Sequence, residues 1–525
     1  MSDAGLTRRE LIQRGGLLAL PALLPGLSAS AAPAPGLPPG PDVYRSIGVR
    51  PLVNARGTYT ILSGSLMLPE VRAAMDAAAR HYVHLDELTE AIGARLAALT
   101  GAEWGIVTSG CSAALTHATA ACVTGGNPDL HVRLPDLRGF AKDEAIIPKH
   151  SRNVYDAALR AVGVRVTEVT TPADLEAALG PRTALVYVLA GPNADDGPLP
   201  TRVVAELANR RGVPVLVDAA AEILTVPNVH LQAGAALVTY SGGKCLRGPQ
   251  SAGLLLGRRD LVRAAWVGSA PHHGIARGYK VGKEDAIGML MAVEMWMKRD
   301  HRAEWDRWTS WLDHVARRVS TVPGVTTSVV QPVGLSNRTP SLSIRWDRAR
   351  LGITGQEVAR RLFEGNPRVS LFPARTEGTE TGLQVTPYMM SPGDERIVAD
   401  EVHALLANPP RTAEKPKAPP AADLTGQWDV RIEYAAGASR HALHLRQRGS
   451  ELDGSHQGDF VSRDLTGSVE GDAVRIRSSY PEENGDALDF TFTGAVTPEG
   501  MGGDLDMGEY LKARWTATRH EGGRG

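Results

Sequence analysis

From about residue 44 to residue 406 the chain alternates short apolar runs with amphipathic helical stretches, and this alternation restricts it to the α/β class. Strands are expected over 105–108, 145–147, 164–169, 183–188, 213–217, 237–239 and 253–256. Helices are expected over 69–80, 87–99, 173–179 and 201–211, with one long helix over 283–319. Several strand runs are apolar throughout, as in strands covered on both faces, so the sheet is expected to be mainly parallel. Beyond the long helix the texture changes. Two strands within 324–345, a helix over 354–363, strands at 369–372 and 382–386 and a closing helix over 393–406 make a small α+β lobe. Such a two-lobed plan puts a small-molecule site between the lobes.

The flanking stretches are of a different kind. Residues 1–32 begin with charges that include Arg8 and Arg9, pass through a short apolar centre broken by Gly and Pro, and end in Ser28-Ala-Ser-Ala-Ala32. That order is expected of a twin-arginine signal peptide, with the mature protein periplasmic or secreted; the alternative is a disordered tail with a chance arginine pair. The apolar centre is too short to span a bilayer. Residues 33–43 form a Pro/Gly-rich tether and 409–423 an extended Pro/Ala linker. The stretch 424–520 carries period-two alternation over about eight strands, which suggests a small antiparallel barrel or sandwich with one wet face. The domain plan is therefore leader 1–32, tether 33–43, large domain 44–320, small lobe 321–408, linker 409–423 and β-rich domain 424–520.

Composition narrows the partners. The net charge of −1 leaves no basic excess for nucleic acid, and hydrophobic residues at 43% are ample for a core. Three cysteines, Cys111, Cys122 and Cys245, do not make a disulfide framework. His441, His444 and His456 lack metal-ligand spacing, so a solvated or packing role is expected and no metal.

The chemistry concentrates at two strand ends. Asp218 closes the apolar run 213–217, and Lys244 follows in Ser241-Gly-Gly-Lys-Cys, after the run 237–239. A carboxylate buried at a strand end is costly unless it meets a cation, and a protonated pyridine nitrogen is one. A lysine flanked by glycines can reach the same cofactor with its amine, and this pair is what pyridoxal 5'-phosphate (PLP) requires: a Schiff-base lysine and a partner for the ring nitrogen. The plainer readings are a helix-capping aspartate and a surface lysine. In Thr108-Ser-Gly-Cys-Ser, small residues lead from a strand into a helix, so that Ser109, Gly110, Cys111 and Ser112 can hold a phosphate on backbone N–H groups; a plain helix cap is the alternative. Ser241 is placed to add a phosphate contact. His150, in a loop after the run 145–147, is a candidate to stack on the ring, or simply a polar loop histidine. Candidate cations for a substrate anion are Arg56, Arg247, Arg277, Lys280 and Arg375, with Arg277 and Lys280 clustered in Gly274-Ile-Ala-Arg-Gly-Tyr-Lys280; each is equally readable as a surface charge.

Taken together, Asn54-Ala-Arg-Gly-Thr-Tyr-Thr60, Glu87-Leu-Thr-Glu-Ala-Ile-Gly93, Val107-Thr-Ser-Gly110, Arg152-Asn-Val-Tyr-Asp156, Ser241-Gly-Gly-Lys-Cys-Leu-Arg-Gly-Pro-Gln250 and Lys280-Val-Gly-Lys-Glu284 resemble the selenocysteine synthase (SelA)-like branch of fold-type I PLP enzymes, on the side of the D-glucosaminate-6-phosphate ammonia-lyase relatives. The resemblance spans about 43–406. It implies an aminotransferase-type large domain, Lys244 as the Schiff-base lysine, Asp218 as the pyridinium partner, and Ser109, Gly110 and Ser241 as phosphate contacts. The sequence departs from the branch at Cys111 and Ser112, where alanine is usual, and at Ser151, which interrupts His-Arg-Asn. A leader and tether stand where selenocysteine synthases carry a tRNA-binding region, so a tRNA substrate is not expected. The expected activity is an ammonia-lyase type α,β-elimination on an amino acid or amino-sugar acid by a homodimer or higher homo-oligomer. Alternatives are SelA-type selenium transfer, a PLP racemase or aldolase, and a degenerate fold used as a binding module; retention of both Asp218 and Lys244 argues against the last.

Overall fold

The computed structural model describes residues 40, 42–410, 418–481 and 487–521. The expected leader 1–32, most of the tether 33–43 and residues 411–417 of the linker lie outside the described residues. Residues 42–51, a unit of their own, carry the 3-10 turn Arg45–Ile47, which Gly48 closes at φ +81°.

The large lobe is built on a seven-stranded sheet: β1 (Trp104–Thr108), β2 (Glu144–Pro148), β3 (Arg165–Val169), β4 (Thr183–Leu189), β5 (Val215–Asp218), β6 (Leu237–Ser241) and β7 (Gly253–Gly257). The spatial order is β1-β7-β6-β5-β4-β2-β3. From β3 to β6 all neighbours are parallel, whereas β7 runs antiparallel to both β6 and β1. The apolar runs explain this layout, because strands β1, β5 and β7 are buried at every residue between helices on the two faces. Only the edge strand β3 is largely open, and it carries Arg165 and Glu168.

Around the sheet lie α1 (Pro69–Ala79), α2 (Leu85–Thr100), α3 (Gly110–Thr124), α4 (Thr201–Arg210), α5 (Arg259–Val267), α6 (Lys283–Lys298) and α7 (His301–Val319). Helix α3 is made of small residues and buried from Ala113 onward, packed on β7 and α5. The single long helix expected over 283–319 is two. Arg299 adopts extended backbone at φ −65°, ψ 139°, and the Asp300 side chain accepts the Ala303 N–H at 2.9 Å, capping a new helix.

The small lobe packs an antiparallel sheet against α8 (Gly355–Glu364) and α9 (Asp394–Ala407), with a single helical turn at Arg348–Leu351. Its strands are β8 (Thr326–Val330), β9 (Ser341–Asp347), β10 (Phe372–Glu377) and β11 (Glu380–Val385), in the order β10-β11-β9-β8. Within the 44–320 stretch, Val53–Asn54 pairs in parallel with Val369–Ser370, and Ala55 and the Leu312, Val315 and Val319 face of α7 pack into this lobe's core. The chain segment before the large lobe thus delivers Arg56 to the cleft.

The C-terminal region is a closed barrel, which decides between barrel and sandwich. Its strands are β12 (Gly426–Glu433), β13 (Ala438–Arg448), β14 (Glu451–Gln457), β15 (Ser462–Glu470), β16 (Ala473–Pro481), β17 (Ala487–Thr497), β18 (Gly500–Asp506) and β19 (Lys512–Arg519), with β12 paired to β19. Burial alternates residue by residue, and Phe492 and Trp515 meet edge-to-face at 5.2 Å inside. Trp515→Ala would cost about 3–5 kcal/mol by leaving a cavity there. Among the described residues no helix is long and apolar enough to cross a membrane.

Candidate active site

The cleft forms at the C-terminal ends of the parallel strands, where open α/β sheets bind ligands. Strand β5 ends there on Asp218, only 2% exposed. Its Oδ1 accepts the Ala220 N–H at 3.0 Å and its Oδ2 accepts the hydroxyl of Tyr187, on β4, at 3.1 Å. Tyr187 in turn accepts Asn153 Nδ2 at 2.9 Å. Burial pushes the Asp218 carboxyl up, while the Ala220 N–H, the Lys244 charge and the Tyr187 hydroxyl oppose that rise.

Lys244 stands in the loop between β6 and β7. This loop is folded so tightly that a β-carbon at Gly242 would lie 2.8 Å from the carbonyl oxygens of Ala252 and Pro249, and one at Gly243 2.8 Å from Gln250 Cα. Glycine is therefore required at both positions. The Lys244 side chain lines a cavity of about 440 Å³, and no hydrogen bond or ion pair engages its amine among the described residues.

Facing these groups is the start of α3. Gly110 turns the chain at φ +81°, and Ser109 caps the helix by position without a side-chain hydrogen bond, leaving the first N–H groups free. Gly253 lets β7 lie close against this turn, since a β-carbon there would come within 2.7 Å of the Cys111 nitrogen. The Thr239 hydroxyl donates to Cys111 Sγ at 3.2 Å; burial, then the Asp218 charge, raise the thiol well above its usual value and keep it protonated.

The small lobe and the preceding segment close the cavity. Arg56, 4.3 Å from the Phe372 ring centroid and 4.9 Å from that of Tyr59, has a buried Nε without a partner. Tyr388 bonds the Thr58 hydroxyl at 2.8 Å and donates to Asn337 Oδ1 at 3.1 Å; burial pushes it up to about 12. Tyr155 lines the same cavity, raised by burial and then by the charges of Asp218 and of Glu509 in the barrel turn Gly508–Tyr510.

Of the residues singled out in the sequence, Lys244, Asp218 and Cys111 lie within electrostatic reach of one another. Ser109 and Gly110 form the adjoining turn, Ser112 is exposed on the first turn of α3, and Ser241 ends β6. His150 does not line the cavity. It sits in the turn Lys149–Ser151 near Gly197, its Nε2 buried and its basicity lowered by burial. Tyr155, five residues on, offers a planar side chain there instead. Arg56 lines the cavity; Arg277 and Lys280 are exposed in and beside the turn Arg277–Tyr279 and do not, and Arg247 turns its Nε to the Leu66 carbonyl at 3.0 Å. Arg375 is an exposed residue of β10. Tyr187 went unnoticed because it reads as one more large residue in a buried strand, although it carries the only hydroxyl among 184–189.

Residues 142–272 match the aminotransferase class-V family model. The chain is 30% identical over 379 residues to D-glucosaminate-6-phosphate ammonia lyase of Salmonella typhimurium (strain 14028s / SGSC 2262), covering 70% of this chain and 96% of that enzyme. The chain belongs to the SelA-like branch of fold-type I PLP-dependent enzymes. Within that branch it is 33% identical over 380 residues to a 5'-C-glycyluridine monooxygenase-decarboxylase of a Streptomyces species, covering 69% and 92%, and 28% identical over 340 residues to the L-seryl-tRNA(Sec) selenium transferase of Moorella thermoacetica, covering 58% and 66%. A solved D-glucosaminate-6-phosphate ammonia-lyase superposes with a TM-score of 0.62 at 27% identity, over 70% of this chain and 98% of that one.

PLP is the cofactor of this branch, and the residues fit it. A buried carboxyl can partner a cation, Lys244 with its unpaired amine lines a cavity, and a glycine-lined helix start offers N–H groups to a phosphate. Lys244 would hold the cofactor's carbonyl carbon, Asp218 its ring nitrogen and the turn at Ser109 its phosphate. The protein is accordingly a PLP-dependent enzyme of the lyase or transferase kind.

Proposed function

We propose that the protein is a lyase carrying out α,β-elimination on an amino acid or amino-sugar acid, releasing ammonia and a keto acid. What carries this reading is the unpaired Lys244 amine sharing one cavity with the buried, partnerless Nε of Arg56. When bound, PLP supplies an electron sink for the charge left at the substrate's α-carbon. Arg56 would hold the substrate's anionic group, its guanidinium fixed between Tyr59 and Phe372. Lys244 Nζ would take the α-proton as general base and return it to the departing β-substituent, which leaves with the electrons of its own bond. Ala220 N–H and Tyr187 donate to the Asp218 carboxyl and oppose the rise that burial imposes on it, and water then hydrolyses the released enamine to ammonia and the keto acid. The purified holoenzyme should release ammonia from at least one member of a panel of D- and L-amino acids and amino-sugar acids, and Arg56→Ala should raise KM for it far more than it lowers kcat. A panel that yields carbon dioxide without ammonia under air would favour the chemistry named for the Streptomyces relative instead. A gel shift with seryl-tRNA would revive selenium transfer, against which the net charge of −1 weighs.

Export by the twin-arginine route, with the enzyme folded and loaded beforehand, is part of this proposal and rests on the order of charges, apolar centre and small residues in 1–32. Its test is a leader variant, Arg8→Lys with Arg9→Lys, which should leave the protein inside the cell. Homodimer formation is supported by the exposed apolar side chains of Ile61, Leu66, Tyr82 and Val83, and light scattering should give twice the chain mass.

A further inference from the structure

Beside the Lys244 loop opens a second cavity of about 700 Å³, within the range of small-molecule sites. Cys245 and Arg247 of that loop line it, and Tyr388 forms part of its wall as well as that of the Lys244 cavity. One side is aromatic. Trp305, Trp308 and Trp311 recur every third residue along α7 and are half-buried, so part of each ring remains accessible. Trp305 stands 6.3 Å from Trp308, and Trp308 meets Tyr388 edge-on at 6.3 Å between centroids.

The charge of the lining is lopsided. Arg247, Arg299, Arg302, Arg307 and Arg338 face a single carboxylate, Glu304. Arg299 already takes both oxygens of Glu304, at 3.0 and 2.8 Å, and Arg302 is held by Asp306. Arg247, Arg307 and Arg338 have no carboxylate partner among the described residues. Burial, with Arg299, Arg307 and Arg72 nearby, pushes the Arg247 guanidinium below its usual value, so the cation is held where it is electrostatically disfavoured. Its backbone is also in the left-handed region, at φ +56°, which a β-carbon disfavours. An anion entering the cavity would relieve the first of these costs.

We propose that this cavity binds a planar aromatic anion, its ring against the tryptophans of α7 and its charged group on Arg247, Arg307 and Arg338. Aromatic faces and guanidinium forks are the two surfaces that recognise such a ligand, one by stacking and the other by charge-assisted hydrogen bonds. The test uses the PLP-loaded enzyme, so that the cofactor's phosphate turn is filled, and phenyl phosphate as the probe. Saturable quenching of tryptophan fluorescence is expected, with binding several-fold weaker for cyclohexyl phosphate and for inorganic phosphate. Arg307→Ala with Arg338→Ala should weaken phenyl phosphate at least about tenfold. These two side chains are exposed, and unchanged cofactor content and circular dichroism would show that the variant is folded. Arg56→Ala, in the other cavity, should leave the affinity as it was. The proposal is overturned if millimolar phenyl phosphate gives no saturable binding, if cyclohexyl phosphate binds equally well, if binding survives the double variant, or if it is lost with Arg56→Ala.

Discussion

The chain Asn153–Tyr187–Asp218 in the large lobe and the chain Ser478–His456–His441 in the barrel are both buried runs of polar side chains, joined by hydrogen bonds of 2.8–3.1 Å. They are completed differently. In the barrel, both ring nitrogens of His456 are used, by Ser478 Oγ and by His441 Nδ1, and the rings pack against Phe490 and Phe492. Burial lowers both histidines, His456 to about 3, so the run is neutral at neutral pH, and it ends on His441 Nε2, buried without a hydrogen-bond partner 3.7 Å from Asp459. The large-lobe run ends instead on a buried carboxyl, raised by burial against the opposing Ala220 N–H, Lys244 charge and Tyr187 hydroxyl, beside a cavity lined by the unpaired Lys244. A neutral network rigidifies a scaffold, whereas a buried carboxyl beside an unpaired amine marks a place where a cationic ligand completes the structure.

That contrast is broken most severely at its charged end. Lys244→Ala should abolish the visible absorption that PLP shows when bonded to the lysine and lower turnover by at least about a thousandfold. Asp218→Asn should leave the fold intact but lower turnover by roughly a hundredfold or more, since a neutral amide gives the ring nitrogen no charge. His456→Leu should change neither cofactor absorption nor turnover more than about twofold, because it cuts only a structural run. A comparable loss of activity in His456→Leu would mean that the barrel network takes part in the chemistry.

The barrel run should reveal itself through pH instead. A histidine whose folded pKa lies below its unfolded value of about 6.5 contributes stability that is fully present above that value and is lost as pH falls toward the folded pKa. For His456 the window runs from about 6.5 down to about 3, with His441 acting in the same direction under the opposing influence of Asp459. Between pH 7 and pH 4 the barrel should lose about 3 kcal/mol, at roughly 1.4 kcal/mol per pH unit below 6.5. Calorimetry of the full chain should show one transition moving steeply down in this range, and His456→Leu should flatten its slope. A transition whose midpoint follows the same pH course in both proteins would refute the assignment.

How far these regions were legible follows from the same physics. Asp218, Lys244 and the Ser109 turn stand where an apolar run meets small residues, a signal confined to a few neighbours in sequence. Tyr155, Phe372 and Tyr388 come from separate segments and reach the cavity only because the lobes face each other, which no local period encodes. The α/β alternation predicted every strand of the large sheet to within two residues at either end, but not the break at Arg299, which depends on one capping side chain. In the barrel, β14, β15 and β18 are rich in Gly, Ser and Asp and show little apolar alternation; closure with their neighbours, rather than their own pattern, makes them strands. The tryptophans at 305, 308 and 311 have the spacing of an ordinary helix's apolar stripe, and only the fold brings them into one cavity with arginines from other segments.

The subtlest test lies inside the large-lobe run. Tyr187→Phe keeps the ring buried in the large lobe's hydrophobic core but removes the hydroxyl that donates to Asp218 and accepts from Asn153. Asp218 then loses one of the groups opposing the rise caused by burial, so its carboxyl should hold a proton to higher pH. If the ionised form is the working one, the acid limb of the kcat profile should move upward by about one pH unit, with kcat at neutral pH lowered by up to about tenfold. A purely structural tyrosine would lower stability and leave that limb in place. Asn153→Ala provides the complementary measurement, because it frees the Tyr187 oxygen from its donor without touching Asp218. Its acid limb should shift less than that of Tyr187→Phe, and an equal or larger shift would mean that Asn153 reaches Asp218 by a route other than the tyrosine.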